Sequence, residues 1–359
     1  MRSGRCLSRG VIFVGTYWIL LPSNQQGALS MDSQEGLDVD DRHPVLRGEY
    51  AIFTAPIDEM IQTIGNWIDL RVTGGYIYGP SRYGKSKTIK WFLFSLLEER
   101  FGTRVPLVVW IRRDSSITER EFWNDLLEAA NYEFYDPLKP KSRTVGRYLF
   151  TERLYTMALS SRRSFVTLLI DEAHEVTLKE WKWLLGLQNA LDARGVRLCV
   201  ISIGSHGILF QPNYLARTGN AHITARFFSQ DMRFRGLRSS KELEFVLNGY
   251  DLDSEWPAES GITYLQYFAP DYFKKGKRLA AYSTDIWDAF VKLTPDDVKK
   301  QKDYKPEIGM KHVAETVETI LRRLQNGEDW DALTEKGELL RVVASTKFTD
   351  YMRTIMAKQ

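Results

Sequence analysis

The stretch "YIYGPSRYGKSKTIKWF", Tyr76 to Phe92, decides how this chain folds. Within it, Gly79 to Ser86 read GPSRYGKS, an instance of G-x-x-x-x-G-K-[ST]. The apolar run Tyr76–Tyr78 suits a buried parallel strand. Thr88 to Leu97 carry apolar residues at helical spacing, so strand, loop and helix occur in the order that a phosphate-binding loop requires. Gly79 and Gly84 let backbone N–H groups curl round phosphate oxygens, and the helix N-terminus adds partial positive charge. Pro80, Ser81, Arg82, Tyr83 and Lys87 complete the loop lining. Lys85 is expected to place a point charge on the phosphates and Ser86 to offer a hydroxyl to Mg²⁺.

A second stretch supports the first. "SFVTLLIDEAHEV", Ser164 to Val176, is a continuous apolar strand ending in two carboxylates. Asp171 is placed to hold the hydration shell of Mg²⁺, and Glu172 to orient and deprotonate an attacking water. Loop and acidic pair together predict chemistry on a Mg²⁺-bound nucleotide, with ATP the expected cofactor and ADP and phosphate the products.

Strands are expected at Tyr76–Tyr78, Pro106–Ile111, Phe165–Ile170 and Arg197–Ile203, with a final strand after Arg226. Helices are expected near Pro56–Leu70, Thr88–Leu97, Thr118–Ala130, Val145–Leu159 and Leu178–Ala193. Thr118 with Glu121 has capping-box spacing. This alternation predicts an α/β fold, a parallel sheet flanked by helices. After Phe234 the pattern becomes helical, with segments at Lys241–Asn248, Asp285–Leu293, Val313–Gln325 and Asp331–Met356, which reads as a C-terminal helical lid. The resulting division is a nucleotide-binding domain at 71–235, a segment at 31–70 before it and the lid at 236–359.

Of the 49 Lys and Arg, only Arg2, Arg5 and Arg9 fall in the first thirty residues, which hold no acid; the remainder balances the 46 Asp and Glu. Any polyanion must therefore be met by a local patch. Residues 1–30, with the apolar run "VIFVGTYWILL", are read as a leader or an over-extended start, with Met31 the natural beginning. The run is too short to span a bilayer. The chain has two cysteines, Cys6 and Cys199, which gives no disulfide framework. That usage and nucleotide chemistry point to a cytoplasmic protein without membrane contact.

Further candidates complete the site. The strand "RLCVISIGSHG" ends in Ser205 and His206, either of which could sense the γ-phosphate. In "TARFFSQDMRFRGL" and just beyond lie Arg226, Arg233, Arg235 and Arg238, one of which could reach a neighbouring subunit's site as an arginine finger. Arg226 is preferred because it precedes the final strand. Lys311, in "IGMKHVAETVETIL", stands at a helix start where it could contact the nucleotide in cis.

Phosphate loop, "LLIDEAH", "GSH" strand end, "ARF" and helical lid follow one another as in AAA+ ATPases. Within that class, Tyr50 to the C-terminus resembles the TniB/TnsC-type ATPases that regulate DNA transposition, relatives of the Mu target-selection ATPase. The segments that carry the resemblance are "VVWIRRDSSITEREFWNDLLEA", "SRTVGRYLF" and "FRGLRSSKELEFVLNGYD". It implies ATP-dependent assembly into a ring or filament round double-stranded DNA, and delivery of that DNA to a transposase with a target-selection protein. It also implies that Arg112 and Arg113, then Lys141, Arg143 and Thr144, line the DNA channel, where short basic loops neutralise phosphates without reading bases. Departures from the family are Ser86 in place of the commoner threonine, the lack of a strand-end asparagine, and a "KKGKR" run at Lys274–Arg278 with no assigned role. A nucleotide-controlled switch without DNA, or a DEAH-type helicase, would use the same loop and acids. The helicase would need a second motor domain.

Overall fold

The computed structural model describes residues 42–113, 118–161, 164–302 and 304–356. The leader, Met31 and Cys6 lie outside the described residues. The chain forms two compact units, one of Ala55–Arg238 with Asp303–Lys311 and Tyr351–Gln359, the other of Ser239–Lys302 and His312–Asp350 with the segment ending at Thr54.

The first unit is built on a five-stranded parallel sheet: β1 (Gly74–Tyr78), β2 (Leu107–Ile111), β3 (Phe165–Asp171), β4 (Arg197–Gly204) and β5 (Asp231–Arg233), in the order β2-β3-β4-β1-β5. Every residue of β3 is buried, as expected for a central strand covered on both faces. Register aligns Tyr78 with Gly204 on one side and Arg233 on the other, while Ile111 pairs with Asp171. The C-terminal ends of all five strands therefore share one edge.

After the short α1 (Pro44–Arg47) of the other unit come α2 (Ala55–Asp69), α3 (Lys85–Trp91), α4 (Leu93–Phe101), α5 (Glu119–Ala129) and α6 (Arg143–Ser160). They are followed by α7 (Leu178–Asp192), α8 (Phe210–Arg217) and α9 (Ala221–Phe227). The expected helix after the loop is two helices, because Phe92 (φ −123°) breaks the ladder and turns Leu93 and Leu97 into the core. Thr118 and Glu121 form the expected capping box, and Thr177 with Glu180 forms a second one at the start of α7. Trp110, Phe122, Trp123, Phe150, Trp181 and Phe227 fill the core on the faces of the sheet.

The second unit is helical. Its longer members are α10 (Ser240–Asn248), α13 (Ser283–Leu293), α15 (Met310–Gln325) and α17 (Lys336–Ser345), with short α11 (Tyr264–Phe268), α12 (Pro270–Lys274), α14 (Asp296–Lys299) and α16 (Trp330–Leu333) between them. α18 (Phe348–Met356) ends the described chain. The stretch read as one helix from Asp331 onward is three, since Asp329 caps α16 and Lys347 sits at φ 57° between α17 and α18. Among the described residues no helix is long and apolar enough to cross a membrane.

Candidate nucleotide site

The phosphate loop leaves β1 at Gly79, where a Cβ would stand 2.4 Å from the Phe234 carbonyl oxygen, so only glycine lets the loop pass β5. Gly84, at φ 118°, then turns the chain into α3. Lys85 is buried, and its Nζ donates to the carbonyls of Gly79 and Pro80, both at 2.8 Å. Burial pulls its pKa down to about 8 against the opposing attraction of Glu172 and Asp171.

Asp171, at the end of β3, is reached by the Ser86 hydroxyl, which hydrogen-bonds to its carboxylate. Burial raises the Asp171 pKa, and the bonds from Ser86 and from the Glu172 amide (3.0 Å) oppose that rise. The two groups expected to share Mg²⁺ are thus in contact. Among the described residues no cluster of three or more His, Cys, Asp and Glu could hold a metal by itself. A hydroxyl and one carboxylate suit Mg²⁺, which keeps several waters and takes its remaining oxygens from nucleotide phosphates.

Glu172 adopts a left-handed backbone (φ 57°, ψ 36°), and its side chain is about half exposed (48%). Such a conformation in a non-glycine residue costs on the order of 1–3 kcal/mol and persists only where the surroundings impose it. Two of those surroundings were not foreseen from the sequence. His174 Nδ1 stands 3.3 Å from Glu172 Oε2. Gln211, near the start of α8, donates from Nε2 to the carbonyls of Ala173, His174 and Val176 (3.2, 3.0 and 3.3 Å), while its Oε1 accepts from Trp181 Nε1 (3.0 Å). No local pattern marks Gln211, since its partners lie thirty or more residues upstream.

Ser205 caps the turn after β4, its Oγ accepting from the Gly207 amide at 3.3 Å. His206 packs edge-on against Tyr78 (5.9 Å), and its pKa is lowered by burial and by the charges of Arg233 and Lys85. The neutral imidazole is therefore the favoured form beside the loop. The outer side of the loop is also covered. The Lys311 amide donates to the Arg82 carbonyl (3.2 Å), the Tyr351 hydroxyl donates to the Ser81 carbonyl, and the Arg82 guanidinium lies 5.8 Å from the Tyr351 ring centroid.

The arginines separate by place. Arg233, at the loop edge of the sheet, pairs with Glu307 at 2.9 Å. Arg235 is buried and forks onto Glu59 (2.7–3.1 Å), a packing role. Arg238 also meets Glu307 (3.3 Å). Arg226 lies at the opposite edge, its carbonyl against Gly74 at the start of β1, and is held by Asn189 (3.0 Å), Gln188 (3.3 Å) and Asp192 (3.7 Å). It is remote from its own phosphate loop.

The residues assigned to a DNA channel do not all face solvent. Arg112 is a correction: it is 2% exposed, its Nε 3.0 Å from Glu180 Oε1, and its amide donates to the Asp171 carbonyl (3.0 Å). Its neighbour Arg113 turns outward. Strand alternation decides this, because adjacent residues at a strand end point to opposite sides. Arg143 and Thr144 are exposed on the first turn of α6, with Arg143 3.6 Å from Glu119, and Lys141 is part-exposed before them.

Residues 73–211 match the sequence model described as an AAA domain. Solved structures similar to the chain include ORC1 of Aeropyrum pernix in complex with DNA, at 9% identity over 84% of this chain and 68% of that one (TM-score 0.49). Drosophila ORC bound to AT-rich DNA and Cdc6 is similar at 12% identity over 78% of this chain and 40% of that one (TM-score 0.42). Cdc6 of Pyrobaculum aerophilum shares 16% identity over 89% and 90% (TM-score 0.38). No curated protein matches the sequence. The matched region covers the phosphate loop, β3 with its acidic pair, and the turn after β4.

Proposed function

We propose that the protein is an ATPase that assembles as a ring or filament on double-stranded DNA without regard to sequence, hydrolyses ATP to ADP and phosphate, and presents that DNA to a transposase and its target-selection partner. The observation that carries the nucleotide half is the contact of Ser86 with Asp171 beside buried Lys85. Mg²⁺ bound by Ser86 and Asp171 would neutralise phosphate charge. Lys85 would hold the phosphates, and Glu172 would take the proton of an attacking water. Arg226, remote from its own loop, would serve a neighbouring copy. The DNA half rests on the resemblance to TniB/TnsC-type regulators and on the outward placement of Arg113, Arg143 and Thr144 with Lys141. Action in the cytoplasm accords with that role.

The burial of Arg112 favours a second reading, a nucleotide switch that never meets DNA, because it removes one cation from the proposed channel. Electron microscopy of the full chain with duplex DNA and ATP, a non-hydrolysable analogue or ADP separates the two. Rings or filaments on DNA with ATP or the analogue alone are expected. Protein that binds nucleotide yet ignores DNA in all three states would give the switch first place.

A further inference from the structure

The end of β5 puts a second cation beside the phosphate loop. Register sets Arg233 level with Tyr78, the last residue of β1, and the Phe234 amide donates to the Tyr78 carbonyl at 2.7 Å just before the loop begins. Residues paired across neighbouring strands project to the same side of a sheet. Arg233 therefore shares a side with Tyr78, against whose ring His206 packs. The charges of Arg233 and Lys85 both bear on His206, and Lys85 in turn is attracted by Glu172 and Asp171. Of a nucleotide's phosphates, the terminal one must approach both Lys85 and the acidic pair, and so comes to this neighbourhood.

Glu307 holds the arginine in a resting position. Its Oε2 accepts from Arg233 Nη1 (2.9 Å) and from Arg238 Nε and Nη2 (both 3.3 Å), while its Oε1 accepts from the Gly236 amide (2.9 Å). Two guanidinium groups thus share one carboxylate, and the three carry one positive charge in excess. The carboxylate is largely buried (13% exposed), and its backbone is fixed without help from the Arg233 side chain. Leu237 and Ile308 exchange two hydrogen bonds (both 2.9 Å), and a Cβ at Gly236 would stand 2.4 Å from the Ile308 carbonyl oxygen. Breaking a buried pair is costly when it strands a charge. Here Glu307 keeps Arg238 and the Gly236 amide if Arg233 turns away. Arg233, 36% exposed, is the partner that can move.

We propose that Arg233 is a phosphate ligand for its own chain's loop, leaving Glu307 for the terminal phosphate of a bound nucleoside triphosphate. A guanidinium forks onto phosphate as it does onto carboxylate, and a terminal phosphate group carries more negative charge than one carboxylate. A nucleoside diphosphate lacks that group, so with it the Glu307 pair persists. The role differs from that of Arg226, which would serve a neighbouring copy, and it rests on the nucleotide half of the function proposed above.

The test uses the full chain with Mg²⁺ and fluorescent forms of ADP and of the non-hydrolysable ATP analogue, titrated to equilibrium beside thermal melting of the free protein. The parent is expected to bind both. Arg233→Ala should weaken the analogue about tenfold or more and leave ADP near parental. Arg233→Lys, which keeps the charge without the fork, should recover part of that loss. Glu307→Gln should act in the opposite direction, tightening the analogue about threefold by removing a competing charge. That gain should vanish in Arg233→Ala/Glu307→Gln. A purely structural pair gives no such opposition of sign: both variants would then lower the melting temperature and shift the two nucleotides alike. Unchanged analogue binding by Arg233→Ala, equal losses of analogue and ADP, or weakening by Glu307→Gln overturns the exchange and leaves Arg233 a structural partner of Glu307. A parent that binds neither nucleotide overturns the nucleotide reading itself, and the exchange with it.

Discussion

Burial changes the chemistry of Lys85. The loop buries its ammonium among carbonyls and brings its pKa from 10.5 to about 8. A phosphate group restores the charged form, so nucleotide binding takes up a proton wherever the free site has lost one. The sign follows: affinity is level below about pH 8 and falls above it, by up to about tenfold per pH unit until the bound-state pKa is reached. Titration of a fluorescent nucleotide from neutral to alkaline pH measures this, and a flat profile would refute it. At Arg112 the prediction concerns stability. Glu180→Ala leaves a buried guanidinium facing nothing charged, at an expected cost of about 3–5 kcal/mol. Replacing both partners by apolar residues of similar volume should recover most of the loss in thermal melting.

At the scale of elements, the acidic turn after β3 is held from outside itself. Gln211 ties three of its carbonyls to α8 and through Trp181 to α7. Gln211→Ala should leave nucleotide binding near parental while slowing hydrolysis about tenfold or more, since Glu172 loses the frame that keeps it in its costly conformation. Glu172→Gln should bind as the parent does and lose about 100- to 10,000-fold in turnover, the share of a general base. Single-turnover hydrolysis beside equilibrium binding distinguishes the two. Elements themselves were well legible. β3 declared itself by a continuous apolar run and α5 by its cap, because both signals are local. The break at Phe92 and the division of the last helical stretch were not, since neither proline nor an apolar gap marks them and burial of Leu93 and the backbone turn at Lys347 decide them.

For the whole molecule, the decisive question is which groups act within one chain. Arg226 lies at the opposite sheet edge from its own loop, so the catalytic role proposed for it requires a second copy. Arg226→Ala and Glu172→Gln proteins, each inactive alone, are expected to regain hydrolysis when mixed. An intact arginine from one then meets an intact base in the other. Mixtures that stay inactive would return Arg226 to a structural role with Asn189 and Asp192. The sequence by itself determined the phosphate loop, the acidic pair, the alternation of strand and helix and the helical character of the C-terminal part, because these depend on neighbours within a few residues. Only the tertiary structure decided that Arg112 is buried on Glu180, that Gln211 frames the acidic turn and that Tyr351 returns to the loop. Each of these depends on which distant residues the sheet order and chain crossings bring into contact.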